Sequence, residues 1–181
     1  MIDLTSTPII ILAILGGVGV TLPVINVALK ERGSMISYGI VTLIALFAAI
    51  GYVLYQLALD HVAPAAIFSQ DVLVDDAFGS LFAIAMLIVA IFTTIGSFSY
   101  MKNKANPSIY FSLILLSAIG MVLVAYATDL VMLFVAWELM SIPTYILVGF
   151  LKKDPISNEA AIKYFLFGAL SSAIIIYGIS L

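Results

Sequence analysis

Six apolar stretches, separated by short polar connections, constrain this chain more than any other feature. They run Pro8–Leu29, Met35–Leu59, Ala77–Met101, Ser108–Thr128, Leu130–Leu151 and Asn158–Leu181. Each has the roughly 20 residues that a helix needs to cross a hydrocarbon core about 30 Å thick. A backbone in lipid must satisfy its own hydrogen bonds, so such stretches are helices. The apolar–polar alternation of a membrane barrel is missing. Composition agrees: 64% of the residues are hydrophobic and 9% are charged, where a water-soluble domain carries about 25% charge. The fold class expected is an all-α polytopic membrane protein with six transmembrane helices.

The connections hold the charge. Lys30 and Arg32 lie between helices 1 and 2, Lys102 and Lys104 between 3 and 4, and Lys152 and Lys153 between 5 and 6. The connections 60–76 and Thr128-Asp129 contain no lysine or arginine. This alternation predicts that the basic connections face the cytoplasm of a cell membrane, with the N-terminus outside. In the long acidic connection, the runs Ala66–Phe68 and Val72–Val74 flank Ser69-Gln70-Asp71, which suggests a small outer β-hairpin. Asp75 or Asp76 can cap helix 3 and Asp129 helix 5. Pro107 suits a first helical position, and Ser157 or Asn158 can open helix 6. The first apolar run is too long for a signal peptide and lacks a basic residue before it. At the other end, the chain is apolar up to Leu181, which reads as a helix cut at or just short of its end.

Several chemistries are excluded or unsupported. The chain has no cysteine, which removes disulfides, thiolate catalysis and cysteine-held metal centres. No basic patch with interleaved aromatics suggests nucleic acid. The single histidine, His61, falls at an outer helix end and reads as an interfacial residue. Gly16, Gly17 and Gly19 sit within an apolar helix with no preceding strand, so they suggest close helix packing rather than phosphate binding.

The informative charges are the few inside the apolar stretches. Glu138 lies eight residues beyond Leu130, about 12 Å along a helix. A charge near mid-membrane costs roughly 2.5–3.5 kcal/mol to insert. It must be offset by a cationic partner, by a hydrogen-bond donor, or by a proton on Glu138 itself. Such a group is a candidate proton-transfer residue; the alternative is that it only hydrogen-bonds helices together. Pro143, five residues on, removes a backbone donor and can open a hydrated kink beside it. Ser141, Thr144 and Tyr145 could continue a polar path. Lys163 is the second proton-transfer candidate, about 8 Å into helix 6 if that helix opens at Asn158. Glu159, four residues earlier, is placed to form a local ion pair with it. By depth alone Glu138 and Lys163 are about 10 Å apart along the membrane normal, so a water-linked relay is expected rather than direct contact.

The run Phe134-Val135-Ala136-Trp137-Glu138-Leu139-Met140-Ser141-Ile142-Pro143-Thr144-Tyr145, with Ser157-Asn158-Glu159-Ala160-Ala161-Ile162-Lys163-Tyr164-Phe165-Leu166-Phe167-Gly168-Ala169, resembles the antiporter-like membrane subunits of complex I, of the subunit N type. It is also similar to the related subunit of the reduced-deazaflavin dehydrogenase of methanogenic archaea. The likeness is strong over helices 4 to 6; helices 1 to 3 match mainly in topology. It implies proton translocation driven by a redox reaction on other subunits, with Glu138 and Lys163 as the family's buried acid and base. The chain itself would bind no redox cofactor. The donor, a reduced nicotinamide or deazaflavin, and a quinone-like acceptor would sit elsewhere in the complex, and other membrane-arm subunits would be the partners. It also implies a division into an N-terminal three-helix region, 1–107, and the start of a translocating repeat, 108–181. Members of that family carry further helices in inverted repeats, so a complete proton path is not expected within these residues. Two rival readings stand beside this one: a subunit of a multi-subunit cation/proton antiporter, and a structural membrane scaffold.

Overall fold

The computed structural model describes residues 6–28, 34–59, 65–66, 72–102 and 104–181. Six helices follow in chain order: α1 (Thr7–Ala28), α2 (Met35–Ala58), α3 (Ala77–Tyr100), α4 (Pro107–Tyr126), α5 (Leu130–Val148) and α6 (Pro155–Ser180). All six are long and apolar enough to cross a membrane, and the chain is a multi-pass all-α membrane protein.

Helix ends follow local chemistry. The Asp76 carboxylate accepts the Gly79 N–H at 2.7 Å and opens α3. Asp129 accepts from the Val131 and Met132 N–H groups and opens α5. Asp75 serves a different helix: its carboxylate accepts the Thr7 N–H at 2.7 Å, where α1 begins. Pro107 occupies the first turn of α4, after Asn106 in the left-handed region at φ 58°. One expectation is corrected. Helix α6 opens at Asp154, not at Ser157 or Asn158: the Asp154 side chain accepts the Ile156 N–H and Pro155 takes the first turn. Proline there forfeits only a donor that a helix start leaves unpaired anyway. Ser157 instead donates its hydroxyl to the Val148 carbonyl, tying α6 to the end of α5.

Two short strands pair between α2 and α3. β1 (Ala65–Ala66) and β2 (Val74–Asp75) are antiparallel, with Ala65 opposite Asp75 and Ala66 opposite Val74. The pairing has the centre expected of the hairpin, whose tip, 67–71, lies outside the described residues, as does His61. Leu73 bridges to Ala127 and the Thr128 N–H donates to the Val72 carbonyl. The hairpin is thereby fixed to the α4–α5 turn.

Helix α4 is the core. It packs on α1, α2, α3 and α5, and 14 of its 20 residues are buried. Helix α6 is the opposite case: Ser172 is its single buried residue, and α5 is its main neighbour. Apolar side chains gain little from helix pairing when lipid is the alternative, so close backbone approach and polar bonds join the helices. Ser112 of α4 donates to the Gly19 carbonyl of α1. Of the three glycines expected at a close helix contact, Gly16 and Gly19 pack against α4, whereas Gly17 faces open space. Tyr110 and Tyr126 of α4 bond Ser97 and Ser80 of α3 at 3.2 and 3.1 Å. Between α1 and α2, the Tyr38 hydroxyl donates to Asn26 at 2.6 Å.

Candidate proton-transfer site

Glu138 sits on the third turn of α5, about 12 Å from Leu130, at a half-buried position. Two contacts fix the segment that carries it. At Gly120 of α4, an added Cβ would stand 2.3 Å from the Met140 nitrogen, so only glycine lets the two backbones cross here. Beside that crossing, Ser117 donates to the Met140 carbonyl at 3.0 Å. Pro143 lies one turn on, buried within a continuous helix. Its missing N–H leaves the Leu139 carbonyl without its helical donor. Ser141 donates to the Trp137 carbonyl and Thr144 to the Ser141 carbonyl.

The Glu138 carboxylate accepts a hydrogen bond from the Ser172 hydroxyl of α6. Ser172 is thus both the one buried residue of α6 and the donor to the acid in the α5 span. Sequence reasoning missed it. A serine in an apolar helix is ordinary, and nothing in its neighbours Ser171 or Ala173 marks it.

Lys163 is placed elsewhere. Because α6 opens at Asp154, Lys163 is eight residues beyond Pro155, about 12 Å into the helix rather than 8 Å. Its ammonium pairs with Glu159 one turn back, as expected, and both side chains are exposed. It lies nine residues before Ser172, about 14 Å along the helix. Among the described residues no cation stands within ion-pair distance of Glu138. The donor that the carboxylate requires is therefore a hydroxyl. Between the two ends, Tyr145 packs edge-on against Tyr164 and Phe165, and Thr144 bonds the Tyr164 hydroxyl at 3.4 Å. An added Cβ at Gly168 would meet the Tyr145 hydroxyl at 2.1 Å. Of the supporting residues, Tyr145 thus faces α6 between the acid and the Lys163–Glu159 pair, while Ser141 bonds within α5 and Pro143 is buried.

Comparison with known proteins is consistent over the whole chain. Residues 127–181 match the family described as NADH:quinone oxidoreductase/Mrp antiporter, transmembrane. NADH-quinone oxidoreductase subunit N of Desulfitobacterium hafniense is 38% identical over 99% of this chain and 35% of its own length. F(420)H(2) dehydrogenase subunit N of Methanosarcina mazei is 39% identical over 63% of this chain and 23% of its own. Among solved structures, a chain of respiratory complex I from Thermus thermophilus superposes with a TM-score of 0.73 at 27% identity, over 94% of this chain and 35% of that one. A chain of the archaeal membrane-bound sulfane sulfur reductase, at 19% identity and a TM-score of 0.78 over 96% of this chain and 36% of that one, shares the fold. The chain spans about a third of the length of the first relatives it matches. Sequence and fold together place it in the antiporter-like family of membrane subunits that includes NADH-quinone oxidoreductase subunit N.

Proposed function

We propose that this chain is part of a proton-translocating membrane subunit in a redox-driven, complex I-like assembly. The observation that carries the reading is Glu138: an acid within a membrane span, held across a helix interface by Ser172. A carboxylate at such depth is expensive unless it has a task, because a serine or glutamine would join the same helices at lower cost. A single hydroxyl donor stabilises the ionised acid, yet leaves its charge without a cationic partner. An unpaired charge in that setting interacts strongly with any charge brought near it. Lys163 belongs to the reading as the mobile cation. It is tethered to Glu159 on the exposed side of α6, an arrangement that lets charge be held near the span and released when the pair parts. Pro143 and Tyr145 shape the segment between the two.

The proposed setting is electron transfer from a reduced nicotinamide or deazaflavin to a quinone-like acceptor on other subunits, in a cell membrane with the basic connections inside; the names of the relatives support the redox part of it. Other membrane-arm subunits are the proposed partners, and no redox cofactor is assigned to this chain. A second reading, a subunit of a multi-subunit cation/proton antiporter, is favoured by the family description, which names both kinds of protein. Oxidation of an electron donor by the purified complex, coupled to acidification, separates the two.

The decisive experiment replaces Glu138 by Gln in the full-length protein within its assembly. Gln keeps the shape and can accept from Ser172, but it cannot carry a proton. We expect assembly to survive and proton uptake by vesicles to fall at least ten-fold. Wild-type pumping by the variant would refute the assignment.

A further inference from the structure

The α3–α4 and α5–α6 turns lie side by side and enclose a cavity of about 820 Å³. Its rim carries Lys104, Lys152 and Lys153. Asp154 is the one acid in the lining, and its carboxylate is bonded to the Ile156 N–H. The single ion pair among the described residues is Lys163–Glu159, so the three rim ammoniums have no carboxylate partner. Lys104 is held over the Tyr100 ring, 3.4 Å from its centroid, which fixes its charge at the rim. The amino end of α4 opens here too: Asn106 makes no capping bond, so the positive end of the helix dipole adds to the field. Below the rim the walls turn apolar. Ile109 of α4 and Ile146 of α5 are 43% and 50% exposed on the lining, with Phe150 beside them.

We propose that this groove is a binding site for an anionic phospholipid of the leaflet on the basic side. The order of chemistry matches the ligand. An unpaired cationic rim lies at the membrane surface, where a phosphate headgroup stands, and an apolar lane descends from it, where an acyl chain runs. A free anion has no use for the lane. A partner helix would have to leave three lysines unpaired or supply acids to meet them. The bound lipid would bridge the two turns and clamp α4 to the start of α6.

The test is native mass spectrometry of the full-length protein in its assembly, after equilibration with phosphatidylglycerol or phosphatidylcholine of equal chain length. Wild type is expected to retain phosphatidylglycerol preferentially. Replacing Lys104, which is half-buried, and Lys152 and Lys153, which are exposed, by Gln lowers that preference by roughly five-fold per lysine. A second variant, Ile109→Trp, keeps every charge and fills the lane. Loss of the preference in this variant supports a built site. An undiminished preference means diffuse attraction to the surface and overturns the proposal. Displacement of the lipid by inorganic phosphate at equal concentration also overturns it, because the headgroup alone would then suffice. Equal retention of the two lipids by wild type, with the groove covered by a neighbouring subunit, assigns the surface to protein and overturns it as well.

Discussion

Glu138 and Ser172 test each other at the scale of single residues. A hydrogen bond to an ionised group contributes about 1.5–3 kcal/mol net, and leaving such a group buried and unsatisfied costs at least as much. Ser172→Ala removes the donor that α6 offers to Glu138. The carboxylate then loses its one described donor. We expect the proton-transfer rate to fall several-fold, with the helices still assembled. Ser172→Thr restores a hydroxyl at the same place and should recover most of the rate. A purely packing role for Ser172 predicts the reverse ranking, because alanine fits where threonine crowds. Vesicle acidification rates measured for both variants distinguish the two. Lys163 differs in kind. Its partner is one turn away on its own helix and both side chains are exposed, so replacing it by Gln leaves the Glu138–Ser172 bond untouched.

Helix contacts in this chain depend on where glycine permits backbones to meet. Gly120→Ala would drive a methyl group against the Met140 backbone of α5, at 2.3 Å from nitrogen and 2.6 Å from Cα. Backbone cannot turn aside as a side chain can, so α4 and α5 must separate and the Ser117–Met140 bond is stretched. Overpacking of this kind costs about 1–3 kcal/mol. Gly168→Ala meets the Tyr145 side chain instead, so its cost is smaller. Thermal unfolding in detergent should rank Gly120→Ala below Gly168→Ala, and both below wild type. Equal melting points for the first pair would contradict the crossing. This ranking was beyond the reach of sequence reading, and the reason is physical. In lipid the outer face of a helix is as apolar as the core face, so α4 and α6 look alike although one has 14 buried residues and the other a single one. Helix number, the Asp129 cap and the Pro107 start were legible because they rest on length and local backbone chemistry. The Asp154-Pro155 start was also written locally, but it lies ahead of the apolar run on which the expected boundary was placed. The acid at Glu138 was conspicuous by its cost, whereas its partner Ser172 was one hydroxyl among many.

At the scale of the whole molecule, the described loop lysines gather at one end. Lys104 meets Lys152 and Lys153 around one cavity, while the hairpin strand ending at Asp75 is tied to the α4–α5 turn beside Asp129. Lysine and arginine are retained on the cytoplasmic side during insertion, whereas aspartate has little influence. This predicts a cytoplasmic basic end and an outer hairpin end, with Glu138, about 12 Å from the Asp129 end of α5, nearer the outer surface than Lys163. The 181 residues contain no cysteine, so single cysteines introduced into this stretch report on sidedness directly. In whole cells a membrane-impermeant maleimide should label Thr128→Cys and leave Lys153→Cys unlabelled until the membrane is opened. Both positions are exposed, so burial cannot explain a failure to react. The opposite pattern would invert the molecule and place the Lys163 end of α6 outside.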